Sequence, residues 1–142
     1  MIVPPPIDSS SETSHPPPRS SRAATLLLSF RYAFAGIRYL LWTQRNAKIH
    51  TALGLAAVAL GFLLRIGRDE WLVLVLTIAL VLAAEGVNTA IEAVVDLVSP
   101  VYHPLAKVAK DVAAGTVLLT AIASVIIGLI LFLPRLLSLL MK

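Results

Sequence analysis

Apolar residues crowd most of this chain into three runs, at 49–64, 71–98 and 112–133, parted by short polar breaks. A helix needs roughly 17 to 25 apolar residues to cross a bilayer's hydrocarbon layer, so each run predicts a membrane span. The first is near the short end of that range and needs Lys48 and Arg65 at its ends to relieve the mismatch. Arg65 to Glu70, reading RIGRDE, leaves room only for a tight hairpin between antiparallel neighbours. The second run starts at Trp71, an interfacial anchor. Its helical pattern continues to Val98, about 42 Å at about 1.5 Å per residue, so one end must protrude from a layer roughly 30 Å thick. Pro100 and Pro104 make Ser99 to Pro104 a loop, and Pro134 is expected to stop the third helix. Gly115, Ala121 and Gly128 are candidates for close helix contact.

Ahead of the spans, 22–45 reads as an amphipathic helix. Phe30, Phe34, Ile37 and Leu41 fall within an arc of about 60°, with Arg31, Arg38 and Arg45 on a basic stripe beside them. Such a helix lies in the membrane interface, its apolar face sunk at the headgroup boundary and its arginines reaching for phosphates. Arg38 is the candidate lipid contact. Residues 1–21 hold six of the nine prolines among Ser, Thr and Asp, and read as a disordered or polyproline tail. They lack the basic start and apolar core of a cleaved signal. The fold class is therefore all-α: a surface helix, then three transmembrane helices.

Composition narrows the class. With 58% hydrophobic residues against 14% charged, there is no material for a large soluble domain. The absence of cysteine excludes disulfides and thiolate chemistry. A net charge of +4 raises the question of nucleic acid, but no nucleic-acid motif or aromatic platform accompanies it, and anionic lipid headgroups are the better partner. Six Lys or Arg precede the first span and two lie between the second and third, against two in the first hairpin and two at the C-terminus. That bias predicts a cytoplasmic N-terminus and an outside C-terminus.

One stretch departs from lipid-facing filler. Behind Trp71 to Ala84, which carries no charge, the chain reads EGVNTAIEAVVDLVSPVYHPLAKVAKD from Glu85 to Asp111. Glu85, Asn88, Glu92 and Asp96 share an arc of roughly 80° on one helix face. Ionisable groups at membrane depth cost roughly 2.5 to 3.5 kcal/mol each, so they must face protein or a wet cavity. Glu85 lies about 21 Å from the Trp71 end, within the far leaflet, and Glu92 and Asp96 emerge at its surface. Carboxylates, an amide, His103, Lys107 and Lys110 at a cytoplasmic surface suit phosphoryl transfer, which asks for placement and charge neutralisation. Glu85 is the candidate base for a lipid hydroxyl, Glu92 a ligand for Mg²⁺, and Lys110 a partner for nucleotide phosphates with Asp111 orienting it or a ligand. Asp96 is expected to cap or pair with Lys107, and His50 to be interfacial and structural. No GxxxxGK[ST] loop or protein-kinase signature occurs. Two other classes stay open: a small oligomeric proton or ion conductor with Glu85 as relay, and a non-catalytic membrane scaffold. A conductor needs polar sites across the membrane, and Trp71 to Ala84 supplies no ionisable group.

The pattern E-x-x-N-[ST]-A-x-E followed by YHxLxxxAKD closely resembles the signature of the small prokaryotic diacylglycerol kinase and undecaprenol kinase family, over about residues 29–133. The resemblance implies that 22–142 form one membrane lipid kinase domain, assembled as a homotrimer with shared active sites in the bacterial inner membrane. It implies Mg²⁺ and ATP as cofactor and phosphoryl donor, and a membrane lipid alcohol as acceptor. By the same pattern Glu85 takes the place of the base, also meeting the lipid, and Glu92 that of a metal ligand. Tyr32, Asn88, Glu92, Tyr102, His103, Lys110 and Asp111 fall on nucleotide-binding positions. The HPLAK loop is more similar to the undecaprenol branch than to the diacylglycerol branch. One departure concerns the metal: where the family has Glu in a run like TERN, this chain has Gln44, which keeps a carbonyl oxygen and loses the charge. A basic residue early in the surface helix is also unmatched, at Thr25.

Overall fold

The computed structural model describes residues 22–141, and the chain divides into two compact units, Met1–Ala33 and Phe34–Lys142. The Pro-rich tail at 1–21 lies outside the described residues. Four helices follow in order: α1 (Arg22–Thr43), α2 (Arg45–Leu63), α3 (Arg68–Val98) and α4 (Pro104–Leu140). The last three are each long and apolar enough to cross a membrane. The architecture is all-α, as the hydrophobic pattern requires.

α1 leaves its large side chains uncovered in the single chain, including Phe30, Phe34 and Ile37 of the apolar face. It stops at Thr43 because Gln44 adopts an extended backbone, with φ −86° and ψ 120°. The Gln44 amide still donates to Leu40 O at 3.1 Å, and its carbonyl accepts from the Lys48 amide at 3.2 Å. One residue thus separates two helices at little loss of backbone bonding.

The hairpin between α2 and α3 is tighter than RIGRDE suggests, because α3 already begins at Arg68. α2 ends in paired bonds: the Ile66 amide reaches Gly61 O at 3.1 Å and the Arg65 amide reaches Phe62 O at 3.2 Å. This is the Schellman arrangement, and it requires the left-handed conformation that Arg65 adopts at φ 49°. Glycine is the usual occupant there. Gly67, lacking a side chain to cap α3, instead donates its amide to Glu70 Oε2 at 2.6 Å. Ile66 is buried with Leu74, Leu131 and Phe132 in the core at this end, and the Phe62 and Trp71 rings meet at 4.6 Å.

α3 packs most extensively against α4, less against α2, while α2 and α4 touch marginally. The buried positions of α2 are Ala47, Gly54 and Gly61, seven residues apart and all small. A Cβ at Gly54 would stand 3.2 Å from Ile78, and one at Gly61 would stand 3.1 Å from both Ile66 and Trp71. Close approach therefore falls on α2, not on the expected glycines of α4: a Cβ at Gly115 or Gly128 would meet open space.

The expectation that Pro134 stops the third helix is also corrected, because α4 runs through it to Leu140. Proline removes one amide from the ladder, and membrane helices tolerate this where other donors take up freed carbonyls. The carbonyl that Pro134 leaves without its amide is Ile130 O; the Arg135 guanidinium bonds the next one, Leu131 O, at 3.1 Å, and also grips both carboxylate oxygens of Glu70 at 2.7 Å each. That bidentate pair ties the start of α3 to the far end of α4.

Two outcomes follow for unfolding measured in mixed detergent micelles. Gly61→Leu should destabilise by about 1–3 kcal/mol, the range for overpacking a filled interior. Arg65→Gly should stabilise by about 1 kcal/mol, since it removes the left-handed penalty of a residue with a Cβ; an unchanged midpoint would contradict the strained turn.

Candidate active site

The buried positions of α3 are Leu74, Val81, Glu85 and Asn88. Their spacings return to one helix face, so a single inward stripe is apolar toward the hairpin and polar from Glu85 onward. Glu85 is 2% exposed and Asn88 7%. The carboxylate thus faces protein rather than acyl chains. Glu85 Oε1 lies 3.4 Å from His50 Nε2 and makes no hydrogen bond. Asn88 Nδ2 donates to Glu92 Oε1 at 3.0 Å, while Asn88 Oδ1 and Thr89 Oγ1 are enclosed without partners. Buried oxygens are seldom left unpaired, so three together mark a place where something else is to be bound.

Two clefts flank this stripe. The first, between α2, α3 and α4, is lined by Asn46, His50, Asn88 and Glu92 with apolar residues of α4 behind them. The second lies where α3 hands over to α4, and gathers Asp96, Tyr102, His103, Lys107, Lys110 and Asp111. Four of the nucleotide-binding candidates, Tyr102, His103, Lys110 and Asp111, are therefore brought together. His103 opens α4: its Nδ1 accepts from the Leu105 amide at 3.2 Å, and Pro104 follows at the first helical position.

The ion pairs in this second cleft differ from expectation. Lys110 Nζ donates to Asp96 Oδ1 at 2.5 Å, and Lys107 pairs with Asp111 one turn on. Residues 107 and 111 share a helix face by their i, i+4 spacing, which leaves Lys110 turned toward the end of α3. Asp96 thus meets Lys110 rather than Lys107, and Asp111 orients Lys107 rather than Lys110.

The remaining candidates lie elsewhere. Tyr32 is exposed on α1 within the N-terminal unit. Arg38 lines a separate cleft with Tyr39, Trp42 and Thr43. Gln44 sits at the start of α2, half-buried, with no side-chain capping bond. Among the described residues no three His, Cys, Asp or Glu side chains gather as a ready metal cage. The groups that are present, the Glu92 carboxylate and the Gln44 amide, are oxygen donors of the kind a hard cation takes.

His50, expected at the interface in a structural role, is found beside the buried carboxylate of Glu85. It stands against Glu85 because it falls between Ala47 and Gly54 on the face of α2 that packs on α3. A 3–4 spacing with its small neighbours was the available signal.

Comparison with known proteins identifies the family. The family model for prokaryotic diacylglycerol kinase matches residues 31–132. A diacylglycerol kinase of Synechocystis is 55% identical over 118 residues, covering 82% of this chain and 67% of that protein. An undecaprenol kinase of Bacillus subtilis is 45% identical over 108 residues, covering 76% and 88% respectively. A diacylglycerol kinase of Escherichia coli is 32% identical over 100 residues, covering 70% and 82%. The matched segment takes in α2, α3 and most of α4, so both clefts lie inside it. The chain belongs to the prokaryotic diacylglycerol kinase family and is a lipid kinase embedded in the membrane by three helices.

Proposed function

We propose that this protein transfers the γ-phosphoryl group of ATP to the hydroxyl of a membrane lipid alcohol, undecaprenol ahead of diacylglycerol, at the cytoplasmic face of the bacterial inner membrane. The observation that carries this reading is Glu85, a carboxylate kept at 2% exposure within a membrane-spanning helix and followed on the same face by Asn88 and Glu92. A carboxylate at that depth is costly, and a lipid hydroxyl needs a base there.

In the reaction, the acceptor oxygen forms a bond to the γ-phosphorus, the bond to the bridging β,γ oxygen breaks, and ADP leaves. The hydroxyl proton passes to Glu85. Asn88 fixes Glu92 through its 3.0 Å bond. Glu92, with the Gln44 amide, would hold Mg²⁺, which neutralises phosphate charge when bound. The second cleft receives the nucleotide: Lys110 exchanges Asp96 for phosphate oxygens, and Tyr102, His103 and Asp111 border the same space. Arg38 is the proposed contact for lipid phosphate. Preference for undecaprenol is supported by the HPLAK loop and by the Bacillus subtilis relative named for that substrate. Assembly as a homotrimer, with anionic lipids around it, is what the family resemblance implies; the apolar faces of α1 and α4 that the single chain leaves uncovered suit acyl chains and neighbouring copies alike. The distribution of Lys and Arg supports a cytoplasmic N-terminus and an outside C-terminus.

A Mg-ATP assay in mixed micelles, offering undecaprenol and diacylglycerol separately, tests the reading. Labelling of undecaprenol should exceed that of diacylglycerol, Glu85→Ala should lose about 10²- to 10⁴-fold, Glu92→Ala should demand more Mg²⁺, and Gln44→Glu should demand less. If neither lipid is labelled, or Glu85→Ala works at the parental rate, the assignment fails.

ATP should also protect Lys110 from amine-directed labelling while leaving Lys48 as reactive as before. Equal labelling of Lys110 with and without nucleotide would remove it from the site.

A further inference from the structure

Glu85 is assigned the proton, yet it lines neither the polar cleft nor the apolar groove that runs alongside. That groove, of about 200 Å³, is bordered by Leu53, Gly54, Ile78, Val125 and Gly128, with His50 at its polar end. His50 also borders the cleft that holds Asn88 and Glu92, and among the described residues it is the one shared by both. Its side chain is 19% exposed against 2% for Glu85, and its Nε2 stands 3.4 Å from Glu85 Oε1. The imidazole therefore separates the buried carboxylate from the spaces a lipid and a phosphate can enter.

We infer that His50 relays the acceptor's proton to Glu85. The lipid hydroxyl gives its proton to Nδ1 of His50 as its oxygen bonds the γ-phosphorus. The proton already on Nε2 moves to Glu85 Oε1, and the imidazole ends neutral with its tautomer exchanged. An imidazole suits this because one ring nitrogen accepts while the other donates. The carboxylate behind it takes the charge change. Glu85 Oε1 has no other hydrogen-bond partner, so the oxygen nearest Nε2 is open to take the proton once the 3.4 Å gap closes.

This inference rests on the kinase reading above, and the test separates the two. The full-length protein, His50→Ala and His50→Gln are assayed in the same micelles, with KM for ATP and thermal unfolding measured alongside. His50→Ala should lose about 10²-fold or more in kcat, with KM for ATP within about twofold of the parent, as expected of a group whose proton transfer counts only in the transition state. His50→Gln, which can donate a hydrogen bond but cannot pass a proton through, should stay as impaired, and added imidazole should partly restore His50→Ala. His50→Gln at the parental rate would reduce His50 to a hydrogen-bonding support and overturn the relay. So would a kcat loss in His50→Ala that imidazole leaves untouched. A parent protein that labels no lipid would instead remove the kinase reading on which the relay stands.

Discussion

A carboxylate enclosed in a membrane span sets the terms for the rest of this structure. Glu85 is 2% exposed, its Oε1 is unbonded, and Asn88 Oδ1 and Thr89 Oγ1 close by are in the same condition. Water cannot repair this at depth, and the polar burial is a standing cost of several kcal/mol that a chain selected only for stability would shed. The surrounding helices must hold this arrangement while leaving it reachable from one side.

They do so by dividing the work along α3. Toward the hairpin, Leu74 meets Ile66, Leu131 and Phe132, Gly54 and Gly61 bring α2 against Ile78 and Trp71, and Arg135 grips Glu70. Between helices in lipid, close van der Waals contact and interhelical hydrogen bonds replace the hydrophobic drive available in water. That end is therefore packed and tied. From Glu85 onward the same face carries oxygens, the neighbouring helices contribute His50 and the small alanines of α4, and clefts remain. Rigidity and reactivity occupy different ends of one helix, so the reacting groups need not also supply the packing.

What could be read from the chain follows the same division. The helices and the polar stripe were legible because both depend on local period: apolar runs of membrane length, and acids at three- and four-residue spacing on α3. Tertiary facts were less so. Pro134 reads as a stop in any single helix, yet α4 continues through it, and the Arg135 clasp on Glu70 holds the far end of that helix to the start of α3. The close-packing glycines were sought on α4, where small residues are frequent, but the partner side chains that make a glycine necessary are Ile78, Ile66 and Trp71 of the first hairpin. The approach of His50 to Glu85 is hidden for a related reason. The two are thirty-five residues apart in sequence, and no local pattern announces a contact across two helices.

The neutral residue at Gln44 bears on how charge is apportioned in the proposed site. Among the described residues no three acids or histidines come together, and Glu92 is the one acid bordering the polar cleft. Mg²⁺ takes part of its ligand shell from substrate phosphates and from water, and needs only one or two protein carboxylates. A triphosphate brings its own negative charge to the metal, so a cation that enters with the nucleotide requires less from the protein than one stored in advance. Under the proposed assignment, Gln44 in place of Glu would leave metal binding more dependent on ATP. In the second cleft Lys110 is paired with Asp96 at 2.5 Å, and the proposed nucleotide would have to compete with that carboxylate for it.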